Sequence, residues 1–515
     1  MEESLSHRTL KNALWQVFNL GWVTILNFFV TPILLKNLGI ETYGVYVLIL
    51  TVFSFLALLD LGMGAGFVNA MVAARSSHDD ALEQKTLGTF LFFWGIVGII
   101  GLLFFLVDPA FLANALRVPS YMLPDVRMAF YLAGAYFAIT AVSSVFAGLM
   151  IALQRFDVMG KIIFVQNTIL NLCLITVTRF FPSIRFLLAA HLCAAVLTVC
   201  LYVLYTRRID PKLRFVPIFS RDVFFKNISF SVFNAVNGVA NASLLQVDRF
   251  FVSRSLGPVF LSYYAIPNNL SQKIYSVSTN ASTTLFPVAA ALSRNEDKER
   301  LVSGFRRSMR LTLIFSVLSG TVLLAFGYSL LRHWVGQAIA DQSTPLLYFF
   351  IPTYVLLGMY MVLSNFYLGM GKSRLLSFFS ASMAIVNIVL LILLIPRYGM
   401  MGAAAAYCFA VMPVVALMLF FERRELSVRD AHRIYIPLAL KLGIVASSFF
   451  LFSQFVLTRF AVNLAATLAI IVGSFFAIMG LYWILGFVDK EDKELAVAFA
   501  HNFLGALRIM GHRDK

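Results

Sequence analysis

Charged side chains are scarce in this sequence of 515 residues. Asp, Glu, Lys and Arg together make up 13% of it, whereas about a quarter of the residues of a soluble globular protein are charged. Apolar residues account for 60%, aromatic residues for 15%, and the mean hydropathy is +0.84. The sequence therefore cannot cover a water-exposed surface of the usual kind, and it predicts an integral membrane protein.

Cysteine is rarer still, and the placement of the cysteines argues against two kinds of site. All four cysteines, Cys173, Cys193, Cys200 and Cys408, lie within long apolar runs, and no CxxC spacing occurs. Neither a disulfide framework nor a metal site is therefore predicted. We interpret these residues as small core side chains, and the isolated His191 in the sixth predicted helix as a hydrogen-bonded core residue.

The motifs of common enzyme classes are absent as well. The sequence contains no HExxH, no GxSxG and no GxxxxGK followed by Ser or Thr, so metal-dependent hydrolysis, a serine nucleophile and ATP binding have no local signature. A membrane polymerase or acyltransferase acting on a glycolipid would need a sizeable outer loop. The longest predicted one, residues 108–123, is short and nearly uncharged. We predict that the protein is not an enzyme and has no cofactor, and that any energy comes from an ion gradient or from the substrate's own gradient.

Long apolar runs are what the sequence has instead. A helix needs roughly 20 apolar residues to cross about 30 Å of hydrocarbon, and backbone embedded in lipid must satisfy its own hydrogen bonds. An all-α fold with about fourteen transmembrane helices follows. The predicted helices cover residues 13–35, 43–74, 86–107, 124–153, 159–179, 184–206, 221–252, 259–292, 309–331, 343–370, 374–395, 399–421, 434–458 and 462–488.

The basic residues indicate how these helices are oriented. The formal net charge is +16, and Lys and Arg collect in alternate loops, among them residues 207–214, 294–307 and 422–433. Under the positive-inside rule these loops and both termini are cytoplasmic. Basic loops at a membrane surface meet anionic headgroups, so we predict membrane lipids rather than nucleic acid as the partner of these charges.

One short sequence motif, here called the phrase, occurs in two similar copies in the chain. Residues 35–48, LKNLGIETYGVYVL, resemble residues 253–266, SRSLGPVFLSYYAI, at an offset of 218 residues that matches Gly39 with Gly257. Six predicted crossings separate the phrases, so both lie on the non-cytoplasmic face and the repeats are parallel, related by an axis along the membrane normal. The predicted division is an N-lobe over 1–206, a C-lobe over 207–421, two further helices over 422–488 and a cytoplasmic tail over 489–515.

Polar residues inside three predicted helices mark faces turned away from lipid. They recur at helical spacing, and lipid cannot satisfy them, so each stripe contacts protein or water. Interhelical packing explains a single Asn or Ser as readily as function does, but matched stripes in both lobes favour a shared hydrated cavity. The stripes are Asn12, Gln16, Asn19 and Asn27 in the first helix; Ser231, Asn234, Asn237, Asn241 and Asp248 in the seventh; and Asn269, Gln272, Lys273, Ser276, Asn280, Thr283 and Thr284 in the eighth.

Ionisable residues deep in a membrane helix are functional candidates by default, because each costs about 3 kcal/mol at the helix centre. Lys273 is predicted either to contact an anionic substrate or to pair with a carboxylate such as Asp248 or Asp60. Both carboxylates are candidates for binding a coupling proton or sodium ion, and Asp60 would serve equally well as a cap for a neighbouring segment. Arg249 reaches the cavity or, like Arg254, the outer interface.

Two segments resemble one family of membrane proteins. Residues 32–62, PILLKNLGIETYGVYVLILTVFSFLALLDLG, resemble the opening of bacterial polysaccharide-lipid flippases, the O-antigen and exopolysaccharide (Wzx-like) branch of the multidrug/oligosaccharidyl-lipid/polysaccharide (MOP) exporter superfamily. Residues 247–266, VDRFFVSRSLGPVFLSYYAI, are similar to the junction between helices 7 and 8 of that branch. The resemblance covers almost the whole chain. The second phrase has Ser262 where the first has Gly44. Because serine is larger than glycine, equally tight packing is not expected at Ser262.

This resemblance implies a fold, a substrate and a set of site residues. It implies a V-shaped pair of six-helix lobes around a cationic cavity lined by helices 1, 2, 7 and 8, in the bacterial cytoplasmic (inner) membrane. The implied substrate is an oligosaccharide on undecaprenyl diphosphate, flipped by ion-coupled alternating access for surface polysaccharide biosynthesis, with polymerase machinery as a further partner. The expected substrate-binding residues are Lys273, Arg249, Arg254, Asn19, Asn234, Asn237, Asn241, Asn269 and Gln272, and the expected ion-coupling residues are Asp60 and Asp248.

Two other transporter classes are alternatives. A cation-coupled exporter of small molecules or drugs would share the MOP fold, and its activity alone would distinguish it. A major-facilitator transporter would also have parallel six-helix halves. Its GxxxD(R/K) signature is absent from the loop after the second predicted helix, residues 74–86, which counts against that class.

Overall fold

The computed structural model describes residues 2–60, 62–282, 298–424, 426 and 431–487, and residues 2–17, 20, 115, 228–237, 280–282, 298, 373–374 and 431–434 of these by their backbone alone. Every regular element in this part of the chain is helical, so the predicted all-α fold is confirmed. The α-helices are α1 (Glu2–Leu38), α2 (Ile40–Leu56), α3 (Met63–Ser76), α4 (Asp80–Val107), α5 (Pro109–Ala115), α6 (Leu123–Ala152), α7 (Phe156–Phe180), α8 (Ile184–Ile209), α9 (Arg221–Leu256), α10 (Pro258–Ser282), α11 (Lys298–Val335), α12 (Gln337–Gly369), α13 (Ser373–Val411), α14 (Pro413–Arg424), α15 (Ala431–Phe455) and α16 (Leu464–Ile484).

The helices are those of a multi-pass membrane protein. Within the described residues, eleven segments are long and apolar enough to cross a membrane. The helices α9 and α10, which carry two of the predicted polar stripes, are not among these eleven. A backbone break at Gly399 (φ 57°, ψ −134°) divides α13 where the sequence separates two predicted spans. The count of fourteen spans and the division into two six-helix lobes stay predictions.

One predicted helix is interrupted. The sequence predicts a single helix over residues 43–74, but α2 ends at Leu56, a 3₁₀ turn covers Ala57–Asp60, and α3 begins at Met63. Gly62 has a φ of 69°, a left-handed conformation that glycine adopts without a steric penalty. The prediction of one continuous helix is therefore wrong, and the glycine provides the bend.

The chain divides into two compact units. Unit 1 comprises Met1–Asn268 and Lys372–Ala410, and unit 2 comprises Asn269–Gly371 and Val411–Lys515. The helix α10 passes from the first unit to the second after Asn268. Each unit is described by itself below.

Unit 1 is built around helices that pack side by side. Helix α6 lies between α4 and α8. Helix α7 packs against both α8 and α1, and α3 packs against α4, α6 and α9. Its core is aromatic, with Phe67, Phe90, Trp94 and Phe137 all buried. Because lipid is as apolar as these side chains, they stabilise the unit by close van der Waals packing rather than by leaving the solvent.

Unit 2 is arranged around the long helix α11. This helix packs against α12, α15 and α16, and Phe305 on it contacts the rings of Phe366 and Phe421. Gly358 on α12 faces Ser278 and Ser316, whose hydroxyl oxygens lie 3.3 Å apart. Small residues of this kind allow membrane helices to approach closely.

Residues 210–220, here called the strap, connect α8 to α9 and run along α4 in unit 1. The strap binds one face of α4 in successive helical turns. Its bonds are an ion pair of Lys212 with Asp80 (3.1 Å), a hydrogen bond from the backbone N–H of Arg214 to Gln84 (3.0 Å), and one from the N–H of Ile218 to the Gly88 carbonyl (3.1 Å).

An arginine secures the beginning of the strap. Arg75, in the last turn of α3, forms ion pairs with Glu83 of α4 (2.8 Å) and with Asp210 of the strap (2.9 Å). Both carboxylates are mostly buried, with side-chain exposures of 11% and 16%. The guanidinium therefore joins three segments of the chain through charge-assisted hydrogen bonds.

Replacing Arg75 by glutamine is expected to loosen the strap. The change leaves two mostly buried carboxylates without their cation, which we expect to cost about 2 kcal/mol. Limited trypsin digestion should then cut faster after Lys212 and Arg214. Arg155→Gln is the control, because among the described residues Arg155 has its ion pair with the half-buried Asp157, two residues away and close to the surface, and such a pair contributes below about 1 kcal/mol. Equal cleavage of the two variants would contradict the role given to Arg75.

Candidate functional site

The two repeated phrases form the same local structure. Gly39 lies between α1 and α2 with a φ of 78°, and Gly257 lies between α9 and α10 with a φ of 99°. Side chains other than glycine rarely adopt such angles, so the Leu-Gly pair makes a tight junction between two helices in both places. Each junction is followed directly by the helix that carries the rest of the phrase.

The two phrases also touch each other within unit 1. A Cβ on Gly44 would stand 1.9 Å from the carbonyl oxygen of Pro258 and 2.8 Å from the hydroxyl of Ser262. The Ser262 hydroxyl in turn donates to the carbonyl of Ile40 at 2.6 Å. Ser262, which corresponds to Gly44 in the repeat, therefore does not prevent tight packing. Its side chain occupies the space that Gly44 leaves.

Asp248 lies at the centre of a polar cluster between α9 and α10. Its carboxylate is fully buried and accepts hydrogen bonds from the Tyr264 hydroxyl (2.6 Å), the Asn268 side-chain amide (3.2 Å) and the backbone N–H of Arg249 (2.9 Å). Three donors satisfy most of the acceptor capacity of a carboxylate. The contacts of Asp248 therefore fix the α9–α10 pair.

The two arginines of this region differ in their surroundings. Arg249 is 8% exposed and interacts electrostatically with Asp248 and with Tyr43 of α2. Arg254 is exposed near the end of α9. The structure thus places Arg249 inside unit 1 beside Asp248, whereas Arg254 has the exposure predicted for a residue at a membrane interface.

Asp60 lies at the break between α2 and α3. The backbone N–H of Gly64 and the indole N–H of Trp94 both lie near its carboxyl group. Its Oδ1 is buried and has no hydrogen-bond partner among the described residues. Both predicted roles of Asp60, as a cap and as a site for a cation or a proton, stay predictions.

The part of α10 in unit 2 has two distinct faces. Ser271, Ile274 and Ser278 are buried, and Ser278 packs against α11 and α12. The polar residues of the predicted stripe occupy the other face and remain half-buried. They are Asn269, Gln272, Lys273 and Ser276.

Lys273 is the charged member of this half-buried face. Within unit 2 it forms no ion pair among the residues that the structure describes. A lysine on a membrane helix must keep its ammonium group hydrated or bound to an anion. The arrangement is therefore suited to contact with water and with an anionic ligand.

The remaining polar candidates are distributed along α1 and α9. Asn19 is buried and donates to the carbonyl of Gly160 on α7 at 3.1 Å, so it joins two helices. Asn241 is half-buried. The side chains of Asn234 and Asn237, like those of the predicted stripe residues Asn12, Gln16, Ser231, Asn280, Thr283 and Thr284, lie outside the described residues.

The core role predicted for His191 is confirmed. Its Nε2 lies 2.7 Å from the hydroxyl of Tyr46, and its ring contacts Tyr136. At the repeat offset Tyr46 corresponds to Tyr264. These equivalent tyrosines have different partners, since Tyr46 contacts His191 and Tyr264 donates to Asp248.

Two residues of the Asp248 cluster were not predicted from the sequence. Tyr264 and Asn268 follow Asp248 by 16 and 20 residues, a separation that helical periodicity does not relate. The available signal was the repeat, which singles out Tyr264 as a recurrent position. Asn268 has no comparable signal, because asparagine within a polar helix is unremarkable.

The chain matches a protein family and curated proteins. The model of a family described as "polysaccharide biosynthesis protein" matches residues 33–341, which is more than half of the chain. A proposed O-antigen transporter of Shigella flexneri is 20% identical over 427 residues, which are 82% of this chain and 99% of that protein.

Solved structures share the fold. The lipid II flippase MurJ, in an inward closed conformation, has a TM-score of 0.73 at 14% identity, over 92% of this chain and 99% of that chain. An inward-facing multidrug resistance MATE family transporter of the MOP superfamily has a TM-score of 0.68 at 14% identity, over 79% of this chain and 94% of that chain. At these identities the similarity shows the fold alone.

Proposed function

Because the chain belongs to the polysaccharide biosynthesis protein family, we propose that it carries an oligosaccharide linked to undecaprenyl diphosphate from the cytoplasmic to the outer leaflet of the inner membrane. That match agrees with the resemblance to polysaccharide-lipid flippases, and the family and the curated relative support a transporter rather than an enzyme. The substrate's head group would cross through a hydrated cavity by alternating access while its polyprenyl tail stays in lipid.

The observation that carries this proposal is the half-buried polar face of α10. An ammonium group there offers three donors to a diphosphate, and the neighbouring amides of Asn269 and Gln272 are suited to sugar hydroxyls. A cationic group in a membrane helix is costly unless it has such a partner. Lys273 is therefore the residue assigned to the phosphate groups.

Ion coupling is the second part of the proposal. Of the two predicted acidic residues, the contacts favour Asp60, because its Oδ1 lacks a partner among the described residues and the carboxylate of Asp248 already accepts three hydrogen bonds. Broken membrane helices expose backbone groups that bind ions, and Asp60 stands at such a break. The coupling ion would be a proton or sodium.

The proposal includes an orientation and a partner. The positive-inside distribution of Lys and Arg supports a cytoplasmic location for both termini. Polysaccharide polymerase machinery is the expected consumer of the flipped product, because an oligosaccharide precursor must be joined to others after it reaches the outer leaflet.

Lys273→Ala is expected to block transport in a strain that lacks its own flippase and makes a matching glycan. Loss of a charge-assisted contact of about 1.5–3 kcal/mol should slow flux roughly tenfold to hundredfold. Surface glycan and undecaprenyl-linked precursor are measured at equal membrane abundance. The precursor should accumulate in Lys273→Ala, and Lys273→Arg should restore part of the flux.

Lys441→Ala is the matched control, because Lys441 is an exposed lysine on α15 and should behave as the wild type. Full activity of Lys273→Ala would remove this residue from the mechanism. Failure of the wild type itself to restore surface glycan, together with ion-dependent drug efflux, would instead indicate a small-molecule exporter.

A further inference from the structure

Unit 1 contains an apolar cavity that the proposed transport site does not use. It has a volume of about 480 Å³, which lies within the usual range of about 300–1,000 Å³ for ligand sites. The walls come from α4, α6, α8 and the strap, and include Gly95, Ile96, Phe146, Val199 and Phe215.

The cavity opens to the lipid-facing surface. Phe92, Ile96 and Ile99 line it and are 38%, 41% and 56% exposed. They lie on α4, a helix that is long and apolar enough to span the membrane. The hydrocarbon that meets such a surface is an acyl chain of the bilayer.

Cations border the cavity at the end where the strap crosses it. The guanidinium of Arg207 lies 5.9 Å from the centre of the Phe215 ring, and Arg214 precedes that phenylalanine on the strap. Both arginines are exposed. None of the ion pairs among the described residues includes either of them, whereas the nearby Asp80 and Asp210 are already paired with Lys212 and Arg75.

We propose that this cavity binds an anionic phospholipid, with one acyl chain between α4, α6 and α8 and the headgroup phosphate on Arg207 and Arg214. The apolar walls and the basic rim match the two ends of such a lipid, and the rim belongs to a loop that the sequence predicts to be cytoplasmic, where anionic lipids give a negative surface. An undecaprenyl chain is much longer than an acyl chain, so an acyl chain fits a cavity of this volume better.

Gly95 permits a direct test of the cavity. It lines the wall, and a Cβ added there meets no atom within 4 Å, so Gly95→Phe is expected to place its ring in the cavity. Gly473→Phe is the matched control, since Gly473 on α16 is equally open and lies outside the cavity. Gly95→Leu is the second variant, in case the phenylalanine variant folds poorly.

The measurement is native mass spectrometry of the full-length protein released from detergent, with phosphatidylglycerol, phosphatidylcholine of the same acyl chains, or undecaprenyl phosphate added in turn. Wild type should retain phosphatidylglycerol in preference to phosphatidylcholine. Each rim arginine is expected to contribute about fivefold to that preference. Gly95→Phe should lower retention of both phospholipids severalfold relative to Gly473→Phe.

The rim is tested with Arg207→Gln/Arg214→Gln against Arg127→Gln/Arg397→Gln, two exposed arginines elsewhere in unit 1. The first pair should lose the preference for phosphatidylglycerol and the second should keep it. Unchanged retention in both Gly95 variants would overturn the site, and an unchanged preference in Arg207→Gln/Arg214→Gln would overturn the headgroup assignment. Stronger, Gly95-dependent retention of undecaprenyl phosphate would replace the phospholipid by a polyprenyl chain.

Discussion

Gly44→Ala is expected to leave little folded protein in the membrane. The added Cβ would stand 1.9 Å from the carbonyl oxygen and 2.6 Å from the carbonyl carbon of Pro258, and these are backbone atoms that cannot rotate away. The start of α10 would have to move from α2. Overpacking of a well-packed core costs typically about 1–3 kcal/mol, and a backbone clash of this depth should exceed that range. Membrane abundance and thermal unfolding in detergent measure the effect.

Gly21→Ala provides the control for this substitution. Gly21 lies in the interior of α1, and a Cβ there meets nothing within 4 Å. Alanine favours a helix by about 1 kcal/mol over glycine, so this variant should be at least as stable as the wild type. If Gly44→Ala unfolded at the same temperature as Gly21→Ala, the close contact between the two phrases would be wrong.

Asp248→Ala is expected to produce the second large loss of stability. The substitution removes the buried carboxylate that accepts from the Tyr264 hydroxyl and the Asn268 amide and that lies beside the buried Arg249. Removing one member of a buried charged cluster typically costs about 3–5 kcal/mol. Thermal unfolding should show a large decrease, and Asp125→Asn, which alters an exposed ion pair with Arg185, should change stability by less than about 1 kcal/mol.

A double-mutant cycle separates the contact from the general disruption. Tyr264→Phe alone removes one hydrogen bond to a charged group, worth about 1.5–3 kcal/mol. Combined with Asp248→Ala it should cost little more than Asp248→Ala alone, because the shared bond is already lost. Strictly additive losses would contradict the bond. A well-folded but transport-deficient Asp248→Asn variant would return Asp248 to the coupling role that the sequence suggested.

Hydropathy and periodicity were sufficient for the helices but not for their interruptions. Most helices could be predicted from the long apolar runs, because a backbone in lipid must satisfy its own hydrogen bonds. The 3₁₀ turn over Ala57–Asp60 lies at the end of a long apolar run, and the composition before it does not change. Gly62 allowed a bend, but a glycine in a membrane helix serves equally well for close packing.

Contacts distant in sequence account for most of what was missed at the site. The stripe on α10 was predicted because its members share a helix face. The partners of Asp248 lie on the next helix, and which residues oppose each other across a helix pair depends on the length and geometry of the junction at Gly257. The strap was equally unpredictable, because a short irregular loop has no periodicity and its bonds to α4 are made mainly by backbone groups.

The contact between the repeated phrases has the reciprocity of an isologous dimer interface. At the offset of 218 residues Gly44 corresponds to Ser262 and Ile40 to Pro258; Gly44 faces Pro258, while Ser262 bonds to Ile40. In a symmetric dimer one residue type must serve at both places, so two glycines would leave a gap and two serines would collide. Two repeats within one chain are free of that constraint, and the glycine–serine pair is a complementary solution that identical subunits cannot reach.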